Sequence, residues 1–377
     1  MKIQLSNGVI YDNINNTLLN NGNFLYSPKQ KEISEKEGIS HLRIQLGTAC
    51  NYKCSFCINS CLDKTKVASQ KDIDNFLKLL INEPICNDVK IEFWGGEPLI
   101  YWKNIFYLLP KLREYYPNCR YAMVTNGTLL DEKKIKVLSE YKVEILISHD
   151  AQAYFLRGPD PIENPKILNL WKEIFEEYYD KNIPISLNTV ISPYNEDLWE
   201  VDAFFKKRLP FANYRFEGVV MPHTDKVFPK YSKKLFNSIF ESCTEGNNSL
   251  AFALSPYINK CIDYLIHAYK CEENMARCDA HKKSSLSVDL FGNILTCHNV
   301  DLKDKIGELG NKILSKKCFK LWHERECVNC PVLVSCKGAC LRLYIKHKQG
   351  CSQYAFHEAI LLTSLSLLFN RKITFEV

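Results

Sequence analysis

Apolar and polar positions repeat along the chain with two alternating periods. From residue 41 onward, short runs rich in β-branched and aromatic residues end in Gly, Asn, Asp or a small polar residue and read as strands: HLRIQLGT (41–48), VKIEFWGG (89–96), YAMVTNG (121–127), VEILISHD (143–150), IPISLNTVI (183–191) and NYRFEGVV (213–220). Between them lie KDIDNFLKLLIN (71–82), YWKNIFYLLPKLREYY (101–116), DEKKIKVLSEY (131–141), PKILNLWKEIFEEYYDK (165–181) and EDLWEVDAFFKKRL (196–209), whose apolar residues recur at helical spacing. Six strand–helix units predict a parallel sheet, either an open doubly wound one or a partial barrel. In both, ligands gather at the C-terminal ends of the strands. The first forty residues differ: VIYDN and NFLYS flank the Asn-rich NINNTLLNNGN and predict a small extended appendage, too short for a winged-helix module.

Composition narrows the class. A chain of 377 residues, 46% hydrophobic, buries a large core and predicts one big domain with a smaller one. Its formal charge of +6 comes with no long basic run, so nucleic-acid binding gains no support. The opening MKIQLSNGVIYDN lacks a basic stretch followed by an apolar run, so no secretory signal is expected. The late apolar run AILLTSLSLLF (359–369) is too short to span a bilayer and predicts a buried C-terminal helix. The expected location is therefore cytoplasmic, with no membrane partner. Seventeen cysteines, an odd number, argue in a reducing compartment for metal ligation rather than disulfides.

CNYKCSFC (50–57) follows the first predicted strand directly, on a ligand-facing loop. Three thiolates this close hold zinc together with a distant fourth ligand, or three irons of a [4Fe–4S] cluster whose fourth iron stays open. Structural zinc sites are closed, so stopping at three favours the reactive cluster. The CxxxCxxC spacing with Phe56 before the last cysteine resembles the signature of the radical S-adenosylmethionine (radical SAM) enzymes. That resemblance implies a partial (β/α)6 barrel of TIM type, with a [4Fe–4S] cluster on Cys50, Cys54 and Cys57 and S-adenosyl-L-methionine on the open iron. It also implies reductive cleavage of the cofactor to a 5′-deoxyadenosyl radical that takes a hydrogen atom from substrate.

Further motifs carry the same resemblance. In WGGEP (94–98), Gly95, Gly96 and Glu97 match the turn that receives the methionine ammonium, the glycines permitting close backbone approach. Thr125 and Asn126 of TNG, then Ser148, Asp150 and Arg157 of ISHDAQAYFLRG, and Asn188 on the fifth strand stand where relatives contact the ribose or carboxylate. A helix cap or salt bridge is the competing reading for each of these.

Beyond residue 270 a second cysteine-dense zone begins: Cys278, Gly292, Cys297, then CVNCPVLVSCKGAC with Cys327, Cys330, Cys336 and Cys340, and finally Cys351. SVDLFGNILTC (287–297) reads as a hairpin turning at Phe291–Gly292–Asn293. The pattern resembles the SPASM extension of radical SAM enzymes that mature peptides and proteins, with a zinc ribbon as the alternative. It implies two auxiliary [4Fe–4S] clusters, the outer on Cys327, Cys330, Cys336 and Cys351 and the inner on Cys278, Cys297 and Cys340. Three saturated clusters, the first closed by the cofactor, need eleven protein ligands and the motifs supply ten. Cys271 is the nearest candidate for the eleventh, followed by Cys261, Cys318, His281 and His298, or the site stays vacant. Cys61, Cys86, Cys119 and Cys243 read as small buried hydrophobes.

The resemblance divides the chain into the appendage (1–40), a radical SAM partial barrel (41–230), a helical connector (231–270), a SPASM domain (271–356) and a C-terminal helix (357–377). It implies oxidative modification of a ribosomally made precursor peptide by a thioether or carbon–carbon crosslink. Formylglycine formation in a sulfatase and small-molecule dehydrogenation remain alternatives. Sulfatase-maturing relatives carry an Asp directly after the cysteine matching Cys297, where this chain has His298, a histidine able to serve as a base. Glu217 on the sixth strand points to the pocket or to a salt bridge. The partners implied are a precursor peptide or protein, an electron donor such as flavodoxin or ferredoxin, and a separate leader-binding protein. A non-catalytic zinc scaffold is the reading from another class.

Overall fold

The computed structural model describes residues 1–26, 38–63, 65–220, 229–246, 248–267, 282, 284–311, 327–340 and 351–376. The N-terminal residues form an antiparallel meander of β1 (Lys2–Gln4), β2 (Ile10–Asp12), β3 (Thr17–Asn20) and β4 (Asn23–Phe24), ordered as in sequence. What the sequence suggested as an extended appendage is thus a small sheet of its own, with Tyr11 and Leu18 buried beneath it.

Each of the six apolar runs becomes a strand: β5 (Ile39–Gln45), β6 (Ile85–Trp94), β7 (Arg120–Thr125), β8 (Val143–Ser148), β9 (Ile185–Ile191) and β10 (Tyr214–Val219). Neighbours in sequence are neighbours in the sheet and all five pairings are parallel. Helices α1 (Gln70–Leu80), α2 (Trp102–Tyr115), α3 (Glu132–Glu140), α4 (Pro165–Asp180) and α5 (Leu198–Arg208) supply the crossovers. α1 begins at a capping box in which Ser69 and Asp72 satisfy each other's backbone N–H, and it buries Ile73, Phe76, Leu77 and Leu80, one stripe at helical spacing. α4 starts with Pro165 after the Asn164 cap and buries Trp171, Ile174, Phe175 and Tyr178, while Tyr179 faces outward.

The sheet does not end at β5. β11 (Ser285–Asp289) pairs parallel with β5, residue for residue from Ser285 opposite His41 to Asp289 opposite Gln45. The chain then returns through β12 (Asn293–Leu295) and β13 (Lys305–Glu308), both antiparallel, giving a nine-stranded sheet with β10 and β13 at its edges. The predicted hairpin is therefore present and fused to the barrel sheet. Asp289 holds its turn by accepting from the N–H groups of Phe291 and Asn293, both at 2.9 Å, and Gly292 takes φ +84°, which suits glycine.

On the other flank, α6 (Lys233–Thr244) and α7 (Asn248–His267) precede a one-turn helix, α8 (Leu333–Cys336), and the apolar α9 (Tyr354–Phe369). α9 is packed against α6, α7 and α8, which explains why it is hydrophobic on all sides. After α9 the chain runs back as an extended segment in which Phe375 bridges to Leu5 beside β1. No described helix is long and apolar enough to cross a membrane.

β5 and β6 are also joined by charge. Glu92 Oε2 accepts from Arg43 Nε at 3.0 Å and lies 3.0 Å from His41 Nε2, with Lys90 Nζ at 3.8 Å from the other oxygen. Burial works against the charged carboxylate, but the His41 hydrogen bond and the charges of His41, Arg43 and Lys90 outweigh it and pull the Glu92 carboxyl down to about 2 from 4.5. A carboxyl depressed on folding adds stability above its unfolded value and loses it on acidification. Stability should accordingly fall as the pH drops from about 4.5 towards 2, and Glu92→Gln should be less stable at neutral pH with a flatter dependence across that window. Urea midpoints measured against pH test both.

Candidate functional site

Parallel strands present their C-terminal ends on one side of the sheet, and the predicted residues leave from those ends. Cys50, Cys54 and Cys57 follow β5; Gly95, Gly96 and Glu97 follow β6; Thr125 ends β7 and Asn126 follows it; Ser148 ends β8 and Asp150 follows; Asn188 and Glu217 lie within β9 and β10.

The first two loops are closed onto one another. Gly96 N–H donates to the Gly47 carbonyl at 3.1 Å and Glu97 N–H to that of Ala49 at 2.9 Å. A Cβ at Gly96 would lie 2.3 Å from the Ala49 oxygen, and one at Gly95 2.5 Å from the Gly47 oxygen. The glycines are required here by contact between loops. The Glu97 side chain is 2% exposed and accepts from Leu99 N–H (3.0 Å), Thr125 Oγ1 (2.6 Å) and Asn126 N–H (2.8 Å). Burial pushes its pKa up, while these donors pull the other way. Asn126 Nδ2 donates to Asn51 Oδ1 at 2.8 Å, so Glu97, Thr125 and Asn126 tie the cysteine loop, the Gly-Gly turn and the β7 loop into one unit. The sequence reading gave these side chains cofactor contacts; within the chain itself they make this bracing.

Within the cysteine loop, Cys50 is exposed and Cys54 and Cys57 half-buried. Burial, opposed by Arg157 and reinforced by the Cys57 and Cys50 thiols, pushes Cys54 up to about 11. The three thiols are near enough to feel one another. Among the described residues, no three His, Cys, Asp or Glu side chains converge on a single metal ion; a four-iron cluster places each thiolate on a different iron instead.

Asp150 and Arg157 form a fork-shaped pair, Nε to Oδ2 at 2.6 Å and Nη2 to Oδ1 at 3.0 Å, and Asp150 also accepts from Val190 N–H at 2.8 Å. This is the salt bridge that competed with a cofactor contact in the sequence. Its outer face still serves the loop, since the guanidinium lies 5.2 Å from the Phe56 ring and its charge reaches Cys54. Ser148 and Asn188 stand opposite each other on β8 and β9, and Asn188 Oδ1 accepts from Arg215 Nε at 3.1 Å.

A second group of cysteines meets at a cavity of about 300 Å³ between the end of β10, α7, the loop after β12 and the turn after α8. Cys297 and Cys340, predicted to share a cluster, both line it, as do Cys261, His298 and Glu217. Glu217 also sits 3.7 Å from Arg215, the salt bridge of its two sequence readings. Cys330 is raised by burial and by nearby Cys351. Cys327 lies one short turn from Cys330, whose N–H donates to the Cys327 carbonyl at 2.9 Å, and Cys336 is buried on α8. Cys271, Cys278, His281 and Cys318 lie outside the described residues. Of the remaining cysteines, Cys119 is buried as expected, whereas Cys86 and Cys243 are only half-buried.

Sequence reasoning missed the residues that join these two sets. Trp94, heading the Gly-Gly turn, packs edge-on to His298 with ring centres 4.2 Å apart and donates Nε1–H to Asn299 Oδ1 at 2.9 Å. Gln45, 4% exposed at the end of β5, donates to the carbonyls of His298 (2.9 Å) and Val300 (2.8 Å). Lys337, also missed, is 5% exposed, lines the cavity and places Nζ 3.2 Å from the centre of the Tyr264 ring.

Comparison with known proteins agrees with this geometry. Residues 44–205 match the model of the radical SAM superfamily. The radical SAM cyclopropyl synthase TigE of Paramaledivibacter caminithermalis is 24% identical over 362 residues, covering 85% of this chain and 72% of the relative. A cysteine-type anaerobic sulfatase-maturating enzyme of Clostridium perfringens is 26% identical over 333 residues, covering 78% and 86%. Among solved structures, native anSMEcpe with bound AdoMet and the Cp18Cys peptide superposes with a TM-score of 0.64 at 19% identity, covering 88% of this chain and 99% of that one.

Asp150→Asn should destabilise the fold by about 3–5 kcal/mol, because it leaves the largely enclosed Arg157 guanidinium without its counter-charge. Combining it with Arg157→Met should recover most of that loss. A double-mutant cycle by urea unfolding checks the coupling.

Proposed function

We propose that the chain, whose residues 44–205 match the radical SAM superfamily, is an enzyme of that superfamily and oxidatively modifies a ribosomally made precursor peptide or protein by closing a thioether or carbon–carbon crosslink. The observation that carries the reading is the closure of the Cys50–Cys57 loop onto the Gly-Gly-Glu turn at the strand ends, on the side where Cys297 and Cys340 line a cavity.

Cys50, Cys54 and Cys57 would hold a [4Fe–4S] cluster whose open iron takes S-adenosyl-L-methionine; when bound, the pair supplies the 5′-deoxyadenosyl radical. The donor set fits. Three thiols share one loop, and the Arg157 charge lies beside Cys54, where it favours an anionic centre. Glu97, Thr125 and Asn126 hold the loop in place, and the half-buried Gly-Gly turn with the Glu97 carboxylate would receive the methionine ammonium. Ser148 and Asn188, opposite each other on neighbouring strands, would contact the ribose.

The cavity provides substrate contacts from α7 and β10: Tyr257, Lys260 and Tyr264 on one wall and Glu217 on another. Crosslinking removes two hydrogens from the substrate. One leaves as an atom with 5′-deoxyadenosine, and the other leaves as a proton and an electron when the new bond closes. Two auxiliary [4Fe–4S] clusters would accept that electron, the inner held by Cys278, Cys297 and Cys340 with Cys271 as fourth ligand, the outer by Cys327, Cys330, Cys336 and Cys351. A cytoplasmic flavodoxin or ferredoxin would reduce the first cluster. A separate protein would recognise the leader.

Likeness to the Clostridium enzyme supports formylglycine formation as the second reading. The position that needs an acid–base group there carries His298, whose Nε2 is already engaged by Asn299 at 3.0 Å. The products differ: a crosslinked peptide retains sulfur, whereas formylglycine formed from cysteine has lost it, and peptide mass spectrometry separates them.

After anaerobic reconstitution, the wild type should hold about twelve irons and release 5′-deoxyadenosine under reductant. A Cys50→Ala, Cys54→Ala, Cys57→Ala variant should hold about eight and release none. Zinc in place of iron, with no cofactor cleavage by either protein, would overturn the proposal in favour of a zinc scaffold.

A further inference from the structure

The side chains between Trp94 and Cys297 form a chain of hydrogen bonds with a fixed direction. Indole Nε1–H is a donor only, so the Asn299 atom 2.9 Å from it is the amide oxygen. That assignment turns the Asn299 NH2 toward His298, where Nδ2 lies 3.0 Å from Nε2. The NH2 group also only donates, so Nε2 must accept and carries no proton. A neutral imidazole then bears its hydrogen on Nδ1, the ring atom 4.0 Å from the Cys297 sulfur. Three further contacts hold the ring and sulfur in this arrangement: the Trp94 ring edge-on at 4.2 Å, Gln45 Nε2 on the His298 carbonyl, and Asn299 N–H donating to the same sulfur at 3.4 Å.

We infer that Trp94 and Asn299 fix His298 as a hydrogen-bond donor to the Cys297 thiolate, and that this relay raises the reduction potential of the inner auxiliary cluster. The inference rests on the auxiliary clusters proposed above. His298 is then a positioning residue, its basic nitrogen occupied, in place of the general base suggested by the sequence. Hydrogen bonds to cluster sulfurs set such potentials because a donor withdraws electron density and stabilises the more negative, reduced form. The relay begins at the residue heading the Gly-Gly turn, so it links the predicted cofactor loop to the loop that carries Cys297.

The test uses the full-length chain carrying Cys50→Ala, Cys54→Ala and Cys57→Ala, reconstituted with iron and sulfide and titrated with dithionite under EPR detection. Two one-electron couples are expected from about eight irons. Adding His298→Leu should move one couple down, so that its reduced-to-oxidised ratio at a fixed potential falls about tenfold, ~59 mV, while the other stays. Trp94→Phe keeps a ring and removes a single N–H, and should shift the same couple in the same direction. His298→Asn, which restores an N–H donor, should recover part of the shift. Unchanged couples in His298→Leu and Trp94→Phe proteins that retain their iron would overturn the inference, and Trp94→Phe alone decides if His298→Leu does not fold. Absence of auxiliary iron in the parent protein would instead overturn the cluster reading, and the inference with it.

Discussion

Contact between two loop backbones governs the site. At Gly95 and Gly96 the turn after β6 comes so close to residues 47–49 that no side chain fits between them, and two N–H groups close the gap. Everything else at the strand ends is placed relative to that seam. The cysteine loop starts immediately beyond it, Glu97 projects from it into the base of the β7 loop, and Trp94 leaves from its other side toward His298. Bracing of this kind suits a reactive centre, which needs its ligands held before any cofactor arrives and its loops kept from collapsing onto it.

Buried charge is handled in a consistent manner. Glu92, Glu97 and Asp150 are each met by several donors or cations, so the cost of removing them from water is offset locally. Their positions differ in consequence. Glu92 knits strands together away from the loops, whereas Glu97 and Asp150 knit loops to strands. Arg157 turns one face to Asp150 and the other to Phe56 and Cys54, so a structural ion pair also sets the electrostatic environment of the cysteine loop.

Much of this was legible in the sequence. The six parallel strands follow from the alternation of β-rich and helix-period segments, and the loop positions of Cys50, Gly96 and Asn126 follow from the strand ends. Cys297 and Cys340, which the resemblance assigns to one cluster, both line one cavity. What the sequence hid was long-range partnership. Nothing local to SLSVD says that it will pair with HLRIQ some 240 residues earlier, and nothing local to Glu97 says that its carboxylate will be spent on Thr125 and Asn126. Motif reading assigns such polar residues to a ligand by default, because their protein partners are remote in sequence. Gln45 and Trp94 were passed over for the same reason, since their bonds run to the loop after β12.

The parallel pairing of β11 with β5 bears on how such a chain can be recombined. The strand that launches the cysteine loop has β6 on one side and β11 on the other, so it is an interior strand only when both halves are present. Separating the halves would strip one ladder from the strand that leads into the first cysteine motif and leave its backbone N–H and C=O groups unpaired, the kind of edge that recruits other chains. The cysteine-rich half is therefore not a portable cassette. Exchange between homologues at a boundary near residue 270 would have to preserve the fit of one strand to another, a constraint on modularity that the linear arrangement of motifs conceals.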